Sequence, residues 1–262
     1  MVKCFLEQKV LKLGLILCLC ISVSACTTPH TERFAYTAPE EISDPLETVN
    51  RAVFGFNNVV DIIVLEPVAK VYHVIIPRPV RNSIQNFMRN LRTPLYIANN
   101  TLQGDFKGAG TGLARFAINS TIGIGGLFDI AKKQGLEFEK EDFGQTLALW
   151  GVNNGFYIVL PILGPSSLRD ASGLAVDIYA DPVRLYASNT DEDWIYYTRN
   201  IIEGVDTRER LLETVSDLRE NSLDYYAAVR SIYAQRRSSL IQDNVSNSHY
   251  YIIPDYDEED DY

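Results

Sequence analysis

Glu141 and Asp142 are the nearest approach to a catalytic pair in this 262-residue chain. Two adjacent carboxylates can divide the roles of acid and base when their surroundings separate their pKa values. At a helix start, however, the same two residues serve as partners of the positive end of the dipole. Ser166 and Ser167 follow a Gly-Pro pair. They read as caps of the next helix rather than nucleophiles, and there is no Gly-x-Ser-x-Gly elbow. His30, His73 and His249 are the only histidines, and none has a ligand neighbour at a metal-binding spacing. The glycines at 108, 110 and 112, and at 123, 125 and 126, lack the lysine or flanking strand of a phosphate-binding loop. The pI near 4.8 argues against nucleic acid as the main partner. The residue types therefore predict no enzyme, no metal and no bound cofactor.

One cysteine does carry chemistry. The opening "MVKCFLEQKVLKLGLILCLCISVSAC" has Lys3, Lys9 and Lys12, then an apolar run, then small residues. Those are the three regions of a secretory signal. Its end, "VSAC", resembles a bacterial lipobox, which implies that residues 1–25 are removed and Cys26 becomes the lipid-carrying first residue. Thr27 follows where an Asp would imply retention at the inner membrane, so the resemblance implies the outer membrane. All four cysteines (Cys4, Cys18, Cys20 and Cys26) lie in the leader or at its end, so no disulfide is expected.

Charge is unevenly distributed. From Pro67 to Phe128 there are seven bases (Lys70, Arg78, Arg81, Arg89, Arg92, Lys107 and Arg115) against one acid, Asp105. From Asn189 to Tyr262 there are 17 acids against 7 bases. A basic segment in an acidic protein suggests an anionic surface nearby.

The elements that must position these groups read as helices. Residues 26–43 form a polar tether with Pro29 and Pro39. Asp44, Pro45 and Glu47 are placed as a helix start, with Leu46, Val49, Val53, Phe56 and Val60 at helical spacing. Pro67 opens a second short helix. "RPVRNSIQNFMRNLR" has an apolar face (Val80, Ile84, Phe87, Met88 and Leu91), while Arg78, Arg81, Arg89 and Arg92 fall mainly off it with no local acid. That pattern fits an interfacial membrane helix, or a core helix whose arginines meet acids elsewhere. Gly104, Gly108 and Gly112 recur every four residues, a spacing that lets backbones approach closely. "GIGGLFDIA" reads as glycines followed by an apolar lip. "GFYIVLPILGPSSLRD" is too short to span a bilayer and too apolar for an ordinary loop. Asp206 and Glu209 form a capping-box pattern, and residues 243–262 an acidic, disordered tail. The expected fold is all-α, with one helical domain over residues 44–242.

"DPLETVNRAVFGFN", "NTLQGD", "RFAINSTIGIGGLFDIA", "EDFGQTLALWG", "LPILGPSSLRD" and "YAQRR" together resemble the MlaA (VacJ) lipoproteins, in this order from about Asp44 to Arg237. The resemblance implies a ring-like assembly of short amphipathic helices lying in one membrane leaflet, at the periplasmic face of the outer membrane. It implies association with trimeric porins. It also implies extraction of phospholipids that have strayed into the outer leaflet, and their delivery to a periplasmic lipid carrier of an ABC transport system. Phospholipid would be the cargo, and a passive amphipathic path the mechanism. The lipid-path candidates are Phe56, Asn57, Gly126, Leu127, Phe128 and Asp129; the membrane-surface candidates are Arg78, Arg81, Arg89 and Arg92. The competing expectation is a structural envelope lipoprotein that braces a porin and transports nothing.

Overall fold

A computed structural model describes residues 42–243. The leader, Cys26, the tether up to residue 41 and the acidic tail from residue 244 lie outside the described residues. What is described is all-α apart from one short hairpin. Ile42 is buried and the Ser43 carbonyl accepts from Tyr157 N–H at 2.9 Å, so packing begins two residues before the expected start at Asp44.

Helix α1 runs from Glu47 to Ile75 without a break. It is α-helical over Glu47–Val60, π-helical over Asp61–Leu65 and α-helical again over Glu66–Ile75. The expectation of a new helix at Pro67 is thus corrected. The Glu66 N–H bonds back to the Asp61 carbonyl in the wider π register. Pro67 then falls in the first turn of the following α segment, where its missing N–H is not needed. Asp44 does not cap this helix either. It is drawn inward to accept from Asn50 Nδ2 at 2.7 Å, from the Tyr226 hydroxyl, and from Arg230 at 3.1 Å.

Helix α2 spans Arg78–Gln103 and passes through Pro94. Gly104 ends it at φ +81°, and Asp105 starts α3 (Phe106–Thr121) by accepting from Gly108 N–H at 2.9 Å. The three glycines spaced by four therefore do not share a helix. Gly112 nevertheless does what the spacing suggested, because a Cβ there would stand 3.0 Å from Ile97 of α2.

A glycine-rich turn and a 3₁₀ turn (Lys132–Gln134) lead to α4 (Phe143–Leu149). Next comes the hairpin of β1 (Tyr157–Leu160) and β2 (Gly164–Ser167), antiparallel in the register Tyr157↔Ser167 to Leu160↔Gly164. Ser167 caps α5 (Leu168–Ala180), accepting from Asp170 N–H at 3.1 Å. Asp181 caps α6 (Pro182–Thr190). Helix α7 (Asp193–Arg210) holds Asp206 and Glu209 in its last turns, where they are buried rather than forming a start. Helices α8 (Leu212–Asn221) and α9 (Tyr225–Asp243) complete the described chain.

Ordinary burial is inverted. Among the described residues eighteen buried side chains are polar or charged against ten apolar ones. A fold with that balance is held by hydrogen bonds and ion pairs as much as by an oily core. The apolar cluster is small: Ile42, Tyr157, Val159 and Tyr226, with Val53, Phe54 and Tyr233 against it.

Candidate functional site

The interior is built from ionisable side chains sent inward by separate helices. Arg237 of α9 reaches Asp142 at the head of α4 with two bonds of 2.6 Å, and Asp170 of α5 at 2.7 Å. The Tyr233 hydroxyl, one turn earlier, also donates to Asp170. The helices meet so closely that a Cβ on Gly144 would lie 2.5 Å from Arg237 Nη2, and one on Gly173 2.3 Å from the Gly144 nitrogen. Burial works against the Asp142 charge, but the hydrogen bonds and charge of Arg237 outweigh it and hold the carboxyl below the usual range. Glu141 is buried beside it and accepts from Gln103 at 2.9 Å. The adjacent pair is thus a helix cap and a helix tie, not an acid and a base.

Further ion pairs join other helices. Arg199 and Asp181 meet at 2.7 Å with both side chains buried. Arg208 and Arg219 share Asp61 at 2.6 and 2.9 Å beneath the π segment of α1. Lys140 is solvent-exposed, yet surrounding protein first, then the charges of Arg92 and Arg236, hold its ammonium below the usual lysine range.

The lipid-path candidates separate into three roles. Asn57 is structural: it donates to the Leu160 carbonyl at 2.9 Å and accepts from Ile162 N–H at 2.8 Å. Asn50, two helical turns earlier, does the same for the Tyr157 carbonyl (3.0 Å) and Val159 N–H (2.9 Å). The two amides dock the free edge of β1 onto α1 as a neighbouring strand would. Only the i, i+7 spacing of the two asparagines hinted at this in the sequence. Phe56 points outward and is exposed.

The lip is anchored at its base and apolar at its tip. Gly126 N–H bonds the Asn119 carbonyl at 2.7 Å, and Phe128 N–H bonds that of Gly123 at 3.0 Å. Gly126 takes φ +96° with no room for a Cβ, which would be 2.4 Å from that of Asn90. Asp129 is a latch, paired with Arg115 at 2.7 Å and Asn119 at 3.0 Å. Burial opposes its charge, and these two donors overcome that and hold it below the usual carboxylate range. Leu127 and Phe128 are exposed together with Ile122 and Ile124.

Of the four arginines on α2, two have acids after all. Arg81 meets Glu209 at 3.3 Å and Arg92 meets Glu203 at 2.9 Å, both on α7. The basic segment is therefore partly neutralised by the acidic C-terminal half of the same chain, an acid supply that local sequence does not reveal. Arg89 stacks on Phe138 with its guanidinium carbon 5.0 Å from the ring centroid. Arg78, at the start of α2, is exposed.

The exposed surface of α1 is largely aliphatic. Along α1, Val49, Val59, Ile62, Ile63, Val64, Val68, Val71, Val74 and Ile75 are exposed, Ile63 by 68% and Val74 by 82%. This helix is long and apolar enough to cross a membrane by length and composition, and it is mostly exposed. The hairpin tip adds Ile162 and Leu163. A patch on this scale marks a protein or membrane contact.

The chain is similar to known proteins over most of this fold. A family profile described as MlaA lipoprotein matches residues 42–240. The intermembrane phospholipid transport system lipoprotein MlaA of Escherichia coli is 36% identical over 206 residues, covering 76% of this chain and 78% of that protein. An uncharacterised protein of Rickettsia prowazekii is 37% identical over 203 residues, covering 77% of this chain and 79% of its own length. A solved structure, described as the structural basis for maintenance of bacterial outer membrane lipid asymmetry, superposes with a TM-score of 0.67 at 38% identity. It covers 76% of this chain and 99% of its own.

Proposed function

This chain belongs to the MlaA lipoprotein family, and on that premise we propose that it is a passive conduit for phospholipids. In this reading it is anchored by a lipid on Cys26 at the periplasmic face of the outer membrane. It takes phospholipids from the outer leaflet and hands them to a soluble periplasmic carrier. A trimeric porin is its neighbour in the membrane. No bond is made or broken.

The observation that carries this reading is a largely polar and ionic set of buried side chains beside an extensive exposed aliphatic surface on α1. A phospholipid presents the same two demands. Its headgroup needs a polar route, and each methylene exposed to water costs about 0.8 kcal/mol. The buried polar and ionic interior suits a headgroup. The exposed Leu127 and Phe128 suit acyl chains. The aliphatic face of α1 suits a leaflet, and a helix can lie in one because its backbone groups are satisfied internally.

The test is to measure outer-leaflet phospholipid in cells lacking the protein and in cells carrying Phe128→Asp. Accumulation in both is expected. Accumulation in the deletion alone would remove the lip from the path, and accumulation in neither would leave a structural lipoprotein instead.

A further inference from the structure

The exposed apolar surface is of two chemical kinds. Along α1 it is valine and isoleucine, whereas the corner made by the end of α5, α6 and the start of α7 is aromatic. Tyr179 (70% exposed), Tyr186, Trp194 and Tyr197 all face outward there. Arg184 joins two of these tyrosines through Tyr196, which lies between them. The Arg184 guanidinium carbon lies 4.5 Å from the Tyr179 ring centroid and 5.7 Å from that of Tyr196, which is 5.7 Å from the Tyr197 ring. Among the described residues Arg184 has no carboxylate within ion-pair distance, so its planar donor fork is held against rings and left unneutralised. The acidic turn Asp191–Glu192–Asp193 borders the patch and is exposed, and the Trp194 indole N–H donates to Glu192.

We propose that this corner is an interfacial anchor seated at the phosphate and glycerol level of a phospholipid leaflet, with Arg184 on a lipid phosphate. Valine and isoleucine belong against hydrocarbon, while Tyr and Trp collect where one end of the side chain is apolar and the other wet. A guanidinium matches phosphate geometrically. The neighbouring carboxylates must stay in water, which fixes the direction: acidic turn outermost, aromatic corner at the headgroups, α1 deeper. This assignment rests on the membrane reading above and adds the depth of each surface to it.

The chain has two tryptophans, so Trp150→Phe leaves Trp194 as the only reporter. The full lipid-anchored Trp150→Phe chain is placed in vesicles of phosphatidylethanolamine and phosphatidylglycerol doped with lipids brominated either near the ester end or near the bilayer centre. Stronger quenching by the shallow bromines is expected. Stronger quenching by the deep ones would overturn the proposal, as would no quenching in a chain that still floats with the vesicles. The same chain carrying Cys26→Ser is expected to float without the lipid; failure to float would overturn the membrane reading with it, so flotation of the unlipidated chain tells the two failures apart. Inorganic phosphate alone is expected to leave Trp194 emission unchanged; a response would assign Arg184 to a free anion instead. Independently of the tryptophan variant, Arg184→Gln in a chain with Cys26→Ser is expected to weaken partitioning into the same vesicles about five-fold. Unchanged partitioning would remove Arg184 from the contact.

Discussion

Arg237 ties three elements through one side chain, because it neutralises Asp142 at the head of α4 and Asp170 of α5 at once. Arg237→Leu strands both charges and is expected to cost about 3–5 kcal/mol, read from denaturant unfolding in detergent. Arg237→Lys should recover only part of this, since an ammonium cannot present a fork to two carboxylates. The pH dependence follows from Asp142. Its folded pKa lies below the unfolded value of about 3.9, so the unfolded chain binds its proton first. The stabilisation is complete above that value and is lost as pH falls through the folded one. The Arg237→Leu variant should show a flatter acid limb. The sequence contained every member of this network but not its geometry: Asp142 and Arg237 stand 95 positions apart and Asp170 and Arg237 67. No local spacing joins them. The same limit explains the α2 arginines, whose acids lie on α7.

At the scale of elements, α1 and the hairpin form one unit through Asn50 and Asn57. Asn57→Ala leaves the part-buried Leu160 carbonyl and the exposed Ile162 N–H without their partner, at a cost of about 0.5–1.5 kcal/mol. Hydrogen exchange should accelerate at Ile162 while amides in the middle of α1 stay protected; equal loosening of both would mean that the tie holds the helix, not the turn. Most helices were legible, because period and punctuation coincide. Ser167 caps α5, and α5 ends at Ala180 before Pro182. The break between α2 and α3 at Gly104 and Asp105 was not read, because the glycine spacing suggested one continuous helix. The hairpin was not legible as strands. "YIVL" is too short to separate strand from helix by period, and its outer edge is paired by side chains of a helix that comes a hundred residues earlier. Ile162 at φ +66° is a further departure from local preference, a β-branched residue holding the turn that Asn57 secures.

For the whole molecule, the decisive property is which side of the fold is apolar, and Ile63 tests it. In a water-facing fold an exposed isoleucine on a helix surface changes to Asp at a cost within about 0.5 kcal/mol. Such a change would improve solubility. If the α1 face lies in hydrocarbon, Ile63→Asp instead carries a penalty of up to about 2.5–3.5 kcal/mol in the bilayer. In detergent it should leave the melting temperature unchanged, because Ile63 is 68% exposed and outside the internal network. The expected signature is therefore a dissociation of two readouts: native melting in micelles, and reduced vesicle partitioning with outer-leaflet phospholipid accumulating in cells. Lower melting in both media would mean that Ile63 packs against protein. Unchanged partitioning would move α1 out of the leaflet, leaving the ionisable interior without the apolar surround that lipid passage requires.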